Sequence, residues 1–348
     1  LLPNYPGSNG LSLGFLTFNR NKRSIVIDMS HPKGLELTYD ILRDADVLLM
    51  AMRTGTRKRR GLDYEKVSAI NPRLIYASIT GFGNLGPDSD QPGLDMVVQG
   101  RVGDIMSRQY PNMPPPGDTN LYHFDMATAM LTVYSIMLAL RDRDRTGLGQ
   151  QIDLSLLHSA LACQSVQMSR LVGTEEIYSI KRAVPVVYQC SDGRWLFAAG
   201  SGARWESFCR IMGVEHLITD PAYDTIEKRR AKEQELHDIF APLFLKRPAG
   251  EWEAELKADG HFVSRLNHID EVFDDPQVVA NNMITEFEQP DLGTVKVVNV
   301  PFRMSASADE QRIRRPAPTL AEHTDEILLE LGKTPEEIEE LKLEGVLF

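Results

Sequence analysis

Apolar and polar positions alternate in blocks over the first quarter of the chain. Short runs rich in Ile, Val and Leu are followed by stretches with helical spacing of apolar residues, in the order strand, helix, strand, helix, strand: 24–28, 31–42, 47–51, 64–70 and 74–79. Strands that alternate with helices are typical of a parallel sheet covered by helices. We therefore expect an α/β fold that binds ligands beyond the carboxyl ends of its strands.

A Gly- and Pro-rich stretch at 81–118 predicts loops at a strand end, where functional residues concentrate. Two helices are predicted after it, separated by the RTGLGQ sequence at 145–150, and the second spans 155–172. In the first helix five apolar residues share one face: Met126, Met130, Val133, Met137 and Leu140. Because Met fills irregular gaps in cores, we expect this face to be packed inside the protein.

The C-terminal half has the pattern of a smaller α+β domain. A hairpin is predicted at 188–197, helices up to about residue 282 and a strand at 294–300, and a capping box of Thr334 and Glu337 opens a last helix. We expect three parts, namely a large α/β domain at 1–184, a small α+β domain at 185–295 and a C-terminal segment at 296–348 that returns to the large domain.

The 348 residues include 38 Lys and Arg against 49 Asp and Glu, a net charge of −11 that argues against nucleic acid or an anionic membrane as a partner. No apolar run approaches the roughly 18 residues of a membrane span. Cys163, Cys190 and Cys209 are too few and too widely spaced for a disulfide framework, so we expect a reducing, cytoplasmic setting. The chain begins at Leu1 without a signal-peptide pattern, and we expect that its natural beginning is missing.

Two features are candidates for chemistry. The basic run at 53–60 follows the second predicted strand, where its arginines could bind phosphate oxygens; a solvated turn and a nuclear-localisation-like patch are the alternatives. Asp125 lies between a Pro-rich loop and a predicted helix, where it is an N-cap, a nucleophile kept ionised by the helix N–H groups, or both. The eight histidines have no metal-ligand spacing, so we expect no metal.

Several stretches together resemble family III (CaiB/BaiF-type) CoA transferases, in the same order and at similar spacing. They are NRNKRSIVIDMS (19–30), ADVLLMAMRTG (45–55), RRGLDYEKVSAINPRLIYASITGFGNLGP (59–87), RTGLGQQIDLSLLHSA (145–160) and PTLAEHTDEILLELG (318–332). The resemblance therefore covers most of the chain.

This resemblance implies a large domain with a dinucleotide-fold-like parallel sheet, a small domain, and two chains that interlock as a homodimer. It implies an enzyme that moves CoA from an acyl-CoA thioester to a carboxylic acid without a tightly bound cofactor. Asp125 matches the catalytic aspartate, which becomes an aspartyl-CoA intermediate. The positions that match CoA-binding residues are Ile27, Asp28, Met29, Ser30, Arg53, Arg59, Gly93 and Leu94.

The chain departs from the family pattern at three places. Ala51-Met52 stands where the family has Asn-Phe, so two expected side-chain contacts with CoA are missing. The family's opening βαβ unit is absent, which we interpret as truncation because a sheet without its central strand would expose unpaired edges. No glycine run occurs at 179–187, where the formyl-CoA:oxalate branch has a lid loop, so oxalate is not the acceptor expected first.

Two other functions stay open at this point. An α-methylacyl-CoA racemase of the same superfamily uses a histidine in a Gly-His-Asp triplet, and this chain has Gly93-Leu94-Asp95 there, which favours transfer. A catalytically inactive CoA-binding subunit is compatible with the missing Asn-Phe contacts.

Overall fold

The computed structural model describes residues 11–109, 114–117, 121–169, 186–199, 202–290, 292–306 and 313–348. Their strands are β1 Val47–Met50, β2 Ile75–Thr80, β3 Gln151–Ser155, β4 Val187–Gln189, β5 Trp195–Ala198, β6 Val263–Arg265, β7 Ile284–Gln289 and β8 Gly293–Val298. Their α-helices are α1 Leu13–Phe18, α2 Pro32–Asp44, α3 Thr54–Arg59, α4 Tyr64–Ile70, α5 Asp95–Arg101, α6 Asp104–Ser107, α7 His123–Thr146, α8 Leu156–Cys163, α9 Ser165–Met168, α10 Trp205–Met212, α11 Ile226–Ala231, α12 Glu233–Phe244, α13 Ala249–Ala258, α14 Pro276–Ala280, α15 Thr324–Glu330 and α16 Pro335–Leu343.

A parallel sheet in the order β1–β2–β3 positions the candidate site. Met50 pairs with Ser78, and Thr80 pairs with Ser155, so the three strands end at the same edge of the sheet. The central strand β2 is apolar and almost wholly buried, as expected for a strand with protein on both faces. The predicted α/β class with a parallel sheet is confirmed.

The first predicted strand, at 24–28, is not a strand. Ile27 forms an isolated antiparallel bridge with Leu347, and the Asp28 N–H donates to the Val346 carbonyl at 2.9 Å. Ile25 and Ile27 pack on a buried cluster from α2 and the C-terminal segment: Leu37, Leu328, Ile338 and Leu347. The β-branched composition therefore reflects contact with C-terminal helices rather than with a neighbouring strand.

The sequence pattern did not predict the third strand of the parallel sheet, β3, because the helix predicted in this region begins at its last residue, Ser155. It has two apolar residues, Ile152 and Leu154, which is too few for a clear alternating pattern. Its register depends on the preceding turn, where Gly149 donates to the Pro72 carbonyl at 2.8 Å and a Cβ on Gly149 would lie 2.0 Å from the Leu74 oxygen. The helix predicted at 155–172 is divided into α8 and α9, and its end from residue 170 lies outside the described residues.

The apolar face predicted on α7 is exposed in this chain, so the expectation that it packs inside the protein is wrong. Met130, Val133 and Met137 are each about 60 % exposed, at 59 %, 62 % and 59 %. The buried residues of the helix are Phe124, Thr128, Thr132 and Ala139. Small residues fit on this buried face because α7 lies close to β2, β3, α5 and α8. The buried threonine hydroxyls are satisfied because they donate hydrogen bonds to carbonyls one turn earlier in the helix.

Among the described residues α7 is also the one helix long and apolar enough to cross a membrane, by length and composition alone. The expectation that no uninterrupted apolar run approaches this length still holds for α7. In the 24 residues of α7 the Met, Leu, Val and Ile residues are separated by Thr, Ser, Ala and Tyr. The helix therefore contains no long uninterrupted apolar run.

The chain consists of two compact units. Unit 1 contains the described residues up to Met106, those in 116–178 and those from Ala280 onward, and unit 2 contains those in 107–115 and 179–279. Unit 2 has an antiparallel sheet in the order β4–β5–β6, and the hairpin predicted at 188–197 is present as β4 and β5. The hairpin of β7 and β8 belongs to unit 1, whereas the sequence analysis placed residues up to 295 in the small domain.

Candidate active site

The carboxyl edge of the parallel sheet holds several of the predicted CoA-binding residues. Arg53 follows β1, and Gly81 follows β2. Gly81 and Gly93 meet backbone to backbone, because a Cβ on Gly93 would lie 2.3 Å from the Gly81 Cα. This approach requires glycine at both positions, and it places Gly93 and Leu94 at the end of β2.

The loop between β2 and α5 also contacts the helix that follows β1. Asp90 Oδ1 accepts a hydrogen bond from the Gly55 N–H at 3.1 Å, and Arg53 Nη1 donates to the Asp90 carbonyl at 3.4 Å. A Cβ on Gly55 would lie 3.2 Å from Asp90 Oδ2 and 3.3 Å from Arg59 Nη1. The Asp90 carboxylate thus lies near both arginines predicted to bind phosphate. Asp90 was not among the site residues predicted from the sequence, although a Gly- and Pro-rich loop after a strand is a place where functional residues concentrate.

The basic run at 53–60 forms most of helix α3, and its arginines differ sharply in exposure. Arg57 is 4 % exposed, and its Nη2 donates to Thr54 Oγ1 at 2.9 Å and to Asn84 Oδ1 at 2.8 Å. This buried guanidinium joins α3 to the loop after β2 and is not accessible to a ligand. Arg59 is exposed, with Nη2 at 3.1 Å from Thr56 Oγ1, and so remains accessible to an anion.

The predicted CoA-binding segment Ile27, Asp28, Met29 and Ser30 precedes α2. Asp28 Oδ1 accepts hydrogen bonds from the Ser30 N–H at 2.8 Å and from the Ser30 hydroxyl at 2.6 Å. These bonds lower the pKa of Asp28, and His31 and Arg60 lower it further. The Asp28 side chain therefore closes a local turn through its Oδ1.

The candidate nucleophile Asp125 is not the N-cap of its helix, so that alternative is wrong. Helix α7 begins at His123, and the residue before it, Tyr122, has a positive φ of 45°. Asp125 is thus the third residue of the helix. The N–H groups of Phe124 and Asp125 donate to Asp95 Oδ2, each at 2.8 Å, so a side chain from α5 caps the helix.

The Asp125 carboxylate has no hydrogen-bond donor among the described residues. The residue is exposed, but nearby protein groups remove part of the water around its carboxyl group, and this desolvation raises its pKa. The negative charge of Asp95 raises the pKa of Asp125 further. The expectation that helix N–H groups stabilise the Asp125 carboxylate is therefore wrong, because Asp95 accepts those hydrogen bonds.

The histidine position of a racemase is occupied by Leu94, which is 61 % exposed and directly precedes α5. His123, two residues before Asp125, has its Nε2 at 3.8 Å from Asp104 Oδ2. Neither observation supplies an imidazole at the racemase position.

These features define the class of the protein. It is an α/β protein with accessible arginines at the edge of its parallel sheet. It also has an exposed carboxylate on helix α7, whose first turn is capped by Asp95. Arginines at such an edge suit a phosphate-bearing ligand, and an exposed carboxylate without hydrogen-bond donors suits acyl chemistry.

Comparison with known proteins identifies the family. The model of CoA-transferase family III matches residues 3–324, and the chain belongs to this family. It is 31 % identical to the succinyl-CoA:glutarate CoA-transferase of Mus musculus over 98 % of this chain and 79 % of that protein. It is also 31 % identical to the succinyl-CoA–L-malate CoA-transferase beta subunit of Chloroflexus aurantiacus, over 98 % and 86 % of the two chains.

The fold agrees with this assignment. A CaiB/BaiF family protein from Brucella suis superposes with a TM-score of 0.80 at 29 % identity, covering 93 % of this chain and 85 % of the other. The resemblance found in the sequence and the expectation of a CoA-transferring enzyme are confirmed.

Proposed function

We propose that this enzyme transfers CoA from an acyl-CoA to a carboxylic acid and that Asp125 carries the CoA between them. The observation that supports this most directly is an exposed carboxylate, without donors among the described residues, in a member of CoA-transferase family III. A carboxylate that accepts no hydrogen bonds keeps its electron density for attack on a carbonyl carbon.

The proposed reaction proceeds through alternating anhydrides and thioesters. An Asp125 oxygen attacks the thioester carbonyl, which breaks the C–S bond and gives an aspartyl anhydride and CoA thiolate. The thiolate then attacks the Asp125 carbonyl, forming aspartyl-CoA and releasing the donor acid. The acceptor carboxylate repeats these steps in reverse order, so Asp125 is regenerated. Donor and product are both thioesters, so the exchange is nearly thermoneutral.

CoA binding is proposed for the residues at and near the sheet edge. Arg53 and Arg59 would bind the CoA phosphates, because both guanidinium groups are exposed. The segment 27–30 would contact the nucleotide end, and Gly93 with Leu94 would line the path of the pantetheine arm. Binding energy from these remote parts of the substrate would hold the thioester carbon near Asp125.

A homodimer is part of the proposal. Residues on one side of α7 are apolar and exposed, notably Val133, Tyr134 and Met137 at 62 %, 63 % and 59 %. An exposed apolar patch of this kind is typical of a surface that another chain covers. The family resemblance makes a second copy of this chain the expected partner.

The test of the proposed activity compares Asp125→Asn with Asp142→Asn. Both remove one negative charge from α7, but Asp142 lies about 25 Å further along the helix axis and pairs with Arg145. With succinyl-CoA as donor and glutarate or malate as acceptor, we expect Asp125→Asn to lose at least about 1,000-fold in kcat. Its melting temperature should stay close to that of the wild type, because Asp125 does not cap the helix. Turnover within tenfold of the wild type in Asp125→Asn would exclude Asp125 as the nucleophile.

A further inference from the structure

Asp95 is a buried carboxylate in direct contact with the backbone of the candidate nucleophile. It is the first residue of α5 and is 2 % exposed. Its Oδ2 accepts the N–H groups of Phe124 and Asp125, and its Oδ1 accepts Gln99 Nε2 at 2.6 Å. All three of these partners are N–H donors, so both carboxylate oxygens of Asp95 act as acceptors.

The surroundings of Asp95 fix it in place. Gln99 is 1 % exposed, and Val98, one turn along α5, belongs to a buried cluster with Phe124 of α7 and Leu156 of α8. On the N-terminal side of Asp95, only Leu94 separates α5 from Gly93, which lies against the end of β2. A rigid path therefore connects the sheet edge to the first turn of α7.

The backbone before α7 indicates that this position is held under constraint. Tyr122 has φ 45° and ψ 39°, a left-handed conformation that residues with a Cβ adopt only when surrounding contacts impose it. The hydrogen bonds from Phe124 and Asp125 to Asp95 begin two residues later. Since the first N–H groups of a helix have no partner within the helix, these bonds supply the contact that fixes the direction of the first turn.

We propose that Asp95 is a positioning residue for Asp125, a role that rests on the proposed function. By accepting the first-turn N–H groups, Asp95 removes the donors that would otherwise fold the Asp125 carboxylate back onto its own helix. It leaves that carboxylate without a hydrogen-bond donor from the part of the chain that the structure describes. The negative charge of Asp95 also disfavours proton loss from Asp125, so the carboxylate that results is more basic and a stronger nucleophile.

Two variants separate the two effects of Asp95. Asp95→Asn keeps an acceptor oxygen for the N–H groups and removes the charge, whereas Asp95→Ala removes both. Asp142→Asn is the control, because it changes the charge of α7 without contacting its first turn. Three other titratable groups near the first turn, Tyr122, His123 and Asp104, are unchanged in all variants.

The first measurement is amide hydrogen exchange at Phe124 and Asp125, which needs no substrate. We expect exchange at both amides to be at least about tenfold faster in Asp95→Ala and near the wild-type rate in Asp95→Asn and Asp142→Asn. Wild-type protection retained in Asp95→Ala would overturn the proposal, whether or not the enzyme transfers CoA.

The second measurement is steady-state kinetics with succinyl-CoA. In Asp95→Ala we expect kcat to fall about 100-fold, with KM for succinyl-CoA within about threefold of the wild type, because a small displacement of the nucleophile affects chemistry rather than CoA binding. In Asp95→Asn the acid limb of the kcat–pH profile should move to lower pH, since the neighbouring negative charge is gone.

The outcomes distinguish this proposal from the proposed function. Active wild-type enzyme with an unchanged kcat in both Asp95 variants would contradict the positioning role and leave CoA transfer intact. Wild-type enzyme that transfers no CoA to any acid would contradict the proposed function, and amide exchange alone would then decide whether Asp95 fixes the helix start.

Discussion

The residues at the start of α7 show how an aspartate can be available for chemistry at a helix end. The carboxylate of an N-cap aspartate normally accepts hydrogen bonds from the N–H groups of its own helix. Here Asp95, which belongs to helix α5, accepts the hydrogen bonds of the first N–H groups of α7. The Asp125 carboxylate accepts no hydrogen bond from the described residues. Desolvation and the charge of Asp95 both raise the pKa of Asp125. A carboxylate with a higher pKa is a less stable anion and therefore a stronger nucleophile.

The sequence indicates Asp125 as the candidate nucleophile, whereas it does not indicate that Asp95 caps helix α7. Asp125 follows a Pro-rich loop and precedes a long apolar periodicity, and both signals are local. The hydrogen bonds that Asp95 accepts connect residues 29 and 30 positions apart, and no local pattern marks such a pair. For the same reason the sequence did not separate the buried Arg57 from the exposed Arg59, since both lie in one basic run.

That difference between the two arginines gives a matched pair of variants. Arg59→Ala should raise KM for acyl-CoA about tenfold with little change in kcat or melting temperature, because a charge-assisted contact with phosphate is lost. The increase should shrink at high ionic strength, where the wild-type contact is itself screened.

Arg57→Ala should instead lower the free energy of unfolding by about 1–3 kcal/mol, because Asn84 and Thr54 lose a buried hydrogen-bond donor. Denaturant unfolding and steady-state kinetics on both variants make the comparison. An unchanged KM in Arg59→Ala, or a higher KM with normal stability in Arg57→Ala, would contradict this assignment of roles.

At the scale of secondary-structure elements, the loop between β2 and α5 connects the two sides of the candidate site. It carries Asp90 to the beginning of α3 and Gly93 to the end of β2. An acidic side chain beside the arginines that we propose bind phosphate would reduce the positive potential that attracts the substrate.

Asp90→Asn should therefore lower KM for acyl-CoA by about two- to fivefold at low salt, because the amide oxygen can still accept the Gly55 N–H while the charge is gone. Asp88→Asn is the control, since Asp88 pairs with Arg101 instead. Initial rates over a range of acyl-CoA concentrations measure the effect. A KM that rises in Asp90→Asn would show that Asp90 supports substrate binding rather than opposing it.

Elements with complete local signals were predicted well. The capping box of α16 has both hydrogen bonds, from the Glu337 N–H to Thr334 Oγ1 and from the Thr334 N–H to Glu337 Oε2. The prediction failed where tertiary contact decides. β3 is a strand because the turn before it packs on the backbone at Pro72 and Leu74, and 24–28 is not one because its partner is the C-terminal segment.

At the scale of the whole molecule, the exposed face of α7 changes what the hydrophobic pattern means. Helical spacing of apolar residues predicts a face that is covered, but it does not say by which chain. The face buried within this chain is formed by Thr128, Thr132 and Ala139 instead. The methionine-containing face is therefore available to a second copy.

Val133→Glu should weaken self-association by at least about tenfold, because it places a charge in a surface that is apolar in the wild type. Leu343→Glu on α16 makes the same change at a residue that is 87 % exposed, and it should leave the oligomeric state unchanged. Sedimentation equilibrium measures both variants. A monomeric wild type would contradict the dimer, and a Val133→Glu dimer of wild-type affinity would exclude this face as its interface.

Covalent capture of CoA on the enzyme tests the proposed chemistry most directly. The protein is mixed with succinyl-CoA without an acceptor acid, quenched in acid and digested, and the peptide that contains Asp125 is analysed by mass spectrometry. We expect the mass of CoA less one water on Asp125, its loss on treatment with hydroxylamine, and its absence in Asp125→Asn. Turnover by an enzyme that carries no CoA on Asp125, or carries it on another residue, would contradict an aspartyl-CoA intermediate at this position.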